Sequence, residues 1–170
     1  SLLSSPFLLG SFPVSVSSSI AALATPSAPS ALGIIRCSGP LSCAVFPGLQ
    51  PRRATLRPYH SLQGQQLDDV IATFYEAGKS FTGEASLELS CHGNPFLLGE
   101  ILNDLQARGF QLAQPGEFTR RAFLSGRIDL TQAEAIASLI AARSLRALES
   151  AHRQLQGQLG TLLRGFSQQL

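Results

Sequence analysis

The chain has 170 residues, 44% apolar and 14% charged, with a net charge of +2. That is enough to bury a real core, and the balance excludes a disordered or fibrous polypeptide. So small a net charge does not by itself argue for a nucleic-acid partner.

Charge is unevenly distributed. No Asp or Glu precedes Asp68, whereas Arg36, Arg52, Arg53 and Arg57 do. Twelve of the thirteen basic residues are Arg, with Lys79 the exception. Cys37, Cys43 and Cys91 are odd in number and lack CxxC spacing, which points to reduced thiols and a cytosolic setting. A zinc site built from them and a histidine has no recognisable ligand spacing, so no metal site is expected.

Residues 1–19 are Ser-rich and apolar, interrupted by Pro6, Gly10 and Pro13. Ala22-Leu23-Ala24 resembles a signal-peptidase site, but no positive n-region precedes it. The stretch is expected to be a disordered leader or unrelated extension; as a transit sequence it would make the location organellar. No apolar run reaches the ~18–20 residues a membrane span needs.

Ile20–Thr25 and Ala31–Cys37 read as strands joined by the turn-rich Pro26–Ser30. Residues 41–47 suit a brief helix ended by Pro47-Gly48. Thr55–Tyr59 and Val70–Tyr75 are further strand candidates, with a hairpin-like turn at Gln63-Gly64-Gln65. Ser86–His92 alternates strictly, so Leu87, Leu89 and Cys91 share one face, and Ser86, Glu88, Ser90 and His92 the other. Asn94-Pro95 then supplies an N-cap and a first-turn proline. Leu97, Leu98, Ile101, Leu102 and Leu105 step at helical spacing until Arg108-Gly109, and Phe110–Ala113 returns as a strand. This β-α-β unit predicts a sheet with helices packed on it.

Beyond Pro115 the pattern turns helical. Gly116–Leu124 is one short helix, with Arg120 and Arg121 beside two phenylalanines and Arg127 just beyond the Ser125-Gly126 stop. Paired cations beside aromatic rings suggest a surface for an anionic, ring-containing ligand, although Arg120 and Arg121 equally suit a solvated helix face. Thr131-Gln-Ala-Glu134 reads as a capping box. Leu145, Leu148, His152, Leu155, Leu159, Leu162 and Phe166 step 3-4-3-4-3-4 as a heptad seam. Gly157, Gly160 and Gly165 each weaken that helix by ~1 kcal/mol, so it needs tertiary partners.

Gly78-Lys79-Ser80 resembles the end of a phosphate-binding loop, but the glycine required five residues earlier is Thr73, so no nucleotide site is expected. Cys91 and His92 are strand neighbours that point to opposite faces and cannot act as a thiol–imidazole pair. Glu88 suits either a solvated sheet face or a carboxylate that accepts two parallel N–H bonds from a heterocycle such as a pterin. Arg36, at the end of an apolar run, must reach water, a carboxylate or a ligand. His92 suits a pocket wall or a hydrogen-bonded structural histidine, and His152 a tolerated polar residue of the seam.

Ala22-Leu-Ala-Thr-Pro26, Gly33–Gly39, Ser80-Phe-Thr-Gly-Glu84, Leu87-Glu-Leu89, His92-Gly93 with Pro95, and Pro115–Leu130 running into Gln132–Ile136 follow in one order. Together they resemble the N-terminal part of the MnmE/TrmE family of tRNA-modifying GTPases, over roughly residues 20–165. The resemblance implies an α+β fold in which a mixed sheet with packed helices precedes an all-α segment. It divides the chain at 20–130, a folate-binding and dimerisation domain similar to that of aminomethyltransferases, and 131–170, the start of a helical domain cut ahead of the GTPase domain.

Further implications are 5-formyltetrahydrofolate or a related reduced folate as ligand, a homodimer, an FAD-dependent MnmG/GidA-type partner and tRNA bound through that complex. GTP and K+ belong to the full-length parent. The family's folate contacts fall on Arg36, Glu88 and Arg127, with Ser90, His92 and Arg120 as further pocket candidates and no catalytic residue in this chain. Two departures stand out: the family usually carries Lys at Arg127, and its Gly-rich turn is replaced by Ser27-Ala-Pro-Ser-Ala31. The alternative reading is a ligand-free interaction module.

Overall fold

The structure, a computed structural model, describes residues 18–167, and of residues 157–167 the backbone alone. The expected leader therefore lies outside the described residues, apart from Ser18 and Ser19, and so do the seam side chains of Leu159, Leu162 and Phe166.

Six strands form one mixed sheet: β1 (Ile20–Leu23), β2 (Leu32–Ser38), β3 (Thr55–His60), β4 (Gln66–Tyr75), β5 (Ser86–His92) and β6 (Gln111–Leu112). Their spatial order is β3-β4-β5-β2-β1-β6, with every pair antiparallel except β1–β6. The helices are α1 (Ser42–Val45), α2 (Pro95–Ala107), α3 (Glu117–Leu124), α4 (Leu130–Ala141) and α5 (Leu145–Ser167). This is the expected α+β architecture followed by helices. The β5-α2-β6 segment is a crossover that passes over β2 and β1 before β6 pairs at the far edge.

The alternation of β5 decides which sheet face is core. Leu87, Leu89 and Cys91 are buried, with Ile35, Cys37, Val70 and Ala72 beside them. Onto this face α2 lays Leu98, Ile101 and Leu105. Its N-cap is Asn94, whose carbonyl accepts from the backbone N–H groups of Phe96 and Leu97. Gly33 lets α2 approach: a Cβ there would lie 2.5 Å from Leu98 Cδ1.

The opposite face is only partly covered. Leu56, Ile71, Ser90 and Ile34 align across β3, β4, β5 and β2, and Leu56 and Ile71 are 66% and 45% exposed. Towards the other end of the strands, Ile20 and Ser38 are buried on this same face, where Ser38 meets Thr82 and Glu84 of the β4–β5 connection.

Three local expectations are corrected. The box that opens α4 is Asp129 with Gln132, whose side chains bond each other's backbone N–H, not Thr131 with Glu134. Both pairs fit the same sequence pattern, and Asp129 starts the helix one turn-fraction earlier. In α5, Ala151 is buried and Leu148 and Leu155 half-buried, while Leu145 and His152 are exposed. The described packing stripe thus runs 148-151-155 and leaves His152 in solvent. Finally, α3 begins at Glu117, because Gly116 takes φ +76° and serves as its N-cap.

Candidate functional site

Where β2 and β5 pair, Arg36 stands directly opposite Glu88, and Thr73 of β4 lies on the other side of Glu88. In-register partners point to the same face, so the extended backbone brings cation and carboxylate together across 52 residues of sequence. Arg36 Nε and Nη2 lie 2.9 and 2.8 Å from Glu88 Oε1. Glu88 Oε2 accepts a longer bond, 3.4 Å, from the Tyr75 hydroxyl. Burial and the neighbouring Glu88 charge push the Tyr75 phenol above its ordinary range, opposed by Arg36, so it stays a neutral donor.

This trio lines a cavity of about 220 Å³. Phe81 and Phe118 add two further rings, and Lys79 stands at the same wall. Open ligand clefts for drug-sized molecules hold roughly 300–1,000 Å³, so this one suits a fused ring system with the rest of the ligand outside. Chemically the site offers a carboxylate that can accept N–H bonds, a guanidinium that orients it, and aromatic walls.

The wall is held by buried polar contacts between the β4–β5 connection and α3. Ser38 Oγ lies 2.7 Å from both Thr82 Oγ1 and Glu84 Oε2. Arg121 then bridges Glu84, at 3.0 Å, and Glu117, at 2.9 Å, and donates to the Ser18 carbonyl at 2.7 Å. Burial raises the Glu117 carboxyl, but the Gln114 N–H and Arg121 outweigh it and hold it below the usual range. Gly83 sits at φ +81°, and a Cβ there would lie 2.8 Å from Ser125 Oγ and 3.2 Å from Arg127 Cγ. Ser125 Oγ donates to the Thr82 carbonyl at 2.6 Å.

Of the sequence candidates, Arg36 and Glu88 meet in the cavity. Arg127 is exposed and does not line it; its stem lies against Gly83, beside Thr82 of the wall. Ser90 is half-buried on the same sheet face, two residues beyond Glu88 and outside the cavity. Arg120 is exposed on α3 and also outside it.

His92 is four residues from Glu88, ~13 Å along an extended strand, and engages Asp68 instead. Its Nδ1 is 2.7 Å from Asp68 Oδ1, and its backbone N–H donates to Oδ2 at 2.9 Å. That hydrogen bond and the Asp68 charge raise the imidazole pKa. Sequence reasoning missed Tyr75, Phe81 and Phe118 as walls and Arg121 as their anchor. Tyr75 lies two positions from Thr73, on the face that Glu88 shares, a relation that only the strand register reveals.

Gly78 and Lys79 lie in an exposed turn in which the Gly78 N–H donates to the Gly83 carbonyl, Ser80 is buried with its hydroxyl on the Glu84 carbonyl, and Thr73 is inside β4. Among the described residues, no cluster of His, Cys, Asp and Glu could hold a metal, and no helix is long and apolar enough to cross a membrane.

A family model described as the GTP-binding protein TrmE N-terminus matches residues 19–127. The chain belongs to this family. The matched span contains Arg36 and Glu88 and ends on Arg127. Similar proteins named tRNA modification GTPase MnmE include that of Opitutus terrae, 50% identical over 146 residues, which are 83% of this chain and 32% of the relative. That of Lawsonia intracellularis is 45% identical over 152 residues, 83% of this chain and 33% of the relative. That of Xylella fastidiosa is 44% identical over 156 residues, 89% and 35%. The chain thus spans about a third of the length of these curated relatives.

Proposed function

We propose that this chain is the reduced-folate-binding and dimerisation module of a tRNA-modifying GTPase. The observation that carries the reading is the Arg36–Glu88 pair in a ring-sized cavity walled by Tyr75, Phe81 and Phe118. Glu88 would take the pterin edge, Arg36 would hold the carboxylate in place, and the aromatic walls would exclude water. The rest of a folate would leave the cavity past the β4–β5 connection, where the flexible end of Arg127 can reach an anionic tail. Arg in place of the family's usual Lys keeps that charge but offers a planar fork.

The bound ligand would be 5-formyltetrahydrofolate or a related one-carbon carrier. The parent protein would act in the cytoplasm with an FAD-dependent MnmG/GidA-type partner. It would place an aminomethyl-type group on C5 of the wobble uridine of tRNA, driven by K+-dependent GTP hydrolysis elsewhere in its sequence. The apolar row Leu56, Ile71 and Ile34 on the less covered sheet face is the surface offered to a second copy.

One feature favours the alternative of a ligand-free interaction module: Arg36 pairs with Glu88 within the chain itself and occupies one of its oxygens. Calorimetric titration with 5-formyltetrahydrofolate, alongside sedimentation, separates the two. Heat together with a dimer supports the folate module. A dimer without heat supports the alternative.

A further inference from the structure

We propose that the groove between residues 48–54 and the edge strand β3 binds the phosphodiester backbone of RNA. The groove has a volume of about 400 Å³, and Gln50, Arg53, Thr55, Leu56 and Arg57 line it. Arg52 adjoins it and adopts a left-handed backbone at φ 58°. Its backbone N–H donates to the Phe74 carbonyl at 2.7 Å, which ties the residue to the end of β4.

All three guanidinium-bearing residues are exposed, and none takes part in an ion pair among the described residues. Arg53 Nη1 donates only to Gln50 Oε1, at 3.0 Å. By contrast, Arg36, Arg108 and Arg121 each hold a carboxylate. Three cations that lie within six residues and lack counter-charges raise the local potential and leave donors free.

Guarding an edge strand against β-pairing accounts for Arg57 and Pro58, since charge and proline on an edge are common defences. It does not account for Arg52 and Arg53, which precede the strand. Leu56, which also belongs to the apolar row offered to a second copy, is the one large apolar residue lining the groove; with no aromatic anchor beside it, a further protein partner is the weaker match. Guanidinium forks fit phosphate oxygens bidentately, and phosphate contacts supply affinity without a reading of sequence. The choice of RNA among polyanions rests on the tRNA-modification reading above; the groove itself shares no lining residue with the folate cavity.

The test is anisotropy of a fluorescein-labelled tRNA transcript with the full chain, titrated between about 50 and 200 mM salt. The triple variant Arg52→Ala/Arg53→Ala/Arg57→Ala is expected to lose about tenfold or more in affinity at low salt. Its log–log salt slope should flatten by about two to three, roughly one per phosphate contact removed. The control Arg143→Ala/Arg146→Ala, which removes two exposed arginines elsewhere, should keep both. Each single substitution should flatten the slope by about one, which guards against a triple variant that misfolds.

Equal losses in triple variant and control, no loss in the triple, or no tRNA binding by the unaltered chain overturns the proposal. So does tighter binding of poly-glutamate than of tRNA, which would indicate an acidic protein partner. The triple variant should keep any heat with 5-formyltetrahydrofolate. Absence of that heat in the unaltered chain sinks the folate reading while the salt slopes remain readable on their own.

Discussion

Arg36 grips a single oxygen of Glu88, with Nε and Nη2 both within 2.9 Å of Oε1, and leaves Oε2 to the weaker Tyr75 contact. A pair with side chains 38% and 32% exposed adds little to stability, about 0–1 kcal/mol. Arg36→Ala should therefore shift the urea midpoint slightly while it removes the orientation of Glu88. A midpoint loss equivalent to more than about 2 kcal/mol would mean the pair is structural instead.

Asp104 presents the opposite case. It is 7% exposed and accepts from Tyr59 Oη at 2.8 Å, Arg108 Nε at 2.7 Å and the Leu62 N–H at 2.7 Å. Asp104→Ala strands three donors and should cost about 3–5 kcal/mol by denaturant unfolding. A loss below 1 kcal/mol contradicts this account of the network.

The same carboxylate makes stability depend on pH. Burial raises the Asp104 pKa, but the Arg108, Leu62 and Tyr59 bonds outweigh it and leave it lowered. A carboxyl with a depressed folded pKa contributes stability that is present above the unfolded value, near 3.9, and lost as pH falls through the folded one. Acid titration followed by fluorescence should show unfolding steepen below about pH 4, and Asp104→Asn should flatten that limb.

Thiol chemistry should separate the three cysteines. Cys37 and Cys91 are buried, and burial pushes both thiols up to about 12, helped at Cys37 by the adjacent Cys91 and at Cys91 by the Asp68 charge. Cys43 is exposed. Ellman's reagent at pH 8 should label one thiol quickly in the native chain and three in denaturant. Fast labelling of two or more native thiols would contradict the sheet register.

Gly93 tests its contact with the turn at Ser27-Ala-Pro-Ser-Ala31. Its carbonyl accepts from the Ser30 N–H at 3.0 Å, and a Cβ at Gly93 would collide with the Ser30 backbone. At Gly33 the obstacle is the end of the Leu98 side chain, which can turn aside. Gly93→Ala should therefore destabilise by about 1–3 kcal/mol and by more than Gly33→Ala in paired thermal melts.

Much of this was legible in the residues because it follows from short-range periodicity. The alternation of Ser86–His92 assigned both faces of β5, and Asn94-Pro95 marked the start of α2. The Arg36–Glu88 encounter required strand register, which the chain does not state locally. The Ser38–Thr82–Glu84–Arg121 contacts were equally hidden, since they join four segments through hydroxyls that look like turn residues in sequence. Of the two readings of His92, a pocket wall or a hydrogen-bonded structural histidine, the second holds, and its partner Asp68 comes from the neighbouring strand β4, which the sequence does not announce locally. The α5 seam shifted because the small Ala151 packs more closely than His152 could.

The most direct measurement is the heat of 5-formyltetrahydrofolate binding to the unaltered chain and to Glu88→Gln. The amide keeps shape and volume but replaces one acceptor oxygen with a donor and removes the charge that Arg36 holds. The account predicts clear saturable heat for the unaltered chain and a loss of about a hundredfold or more in affinity for the variant, the ~3 kcal/mol typical of an unpaired polar contact in a binding site. Equal affinities in the two proteins would contradict it.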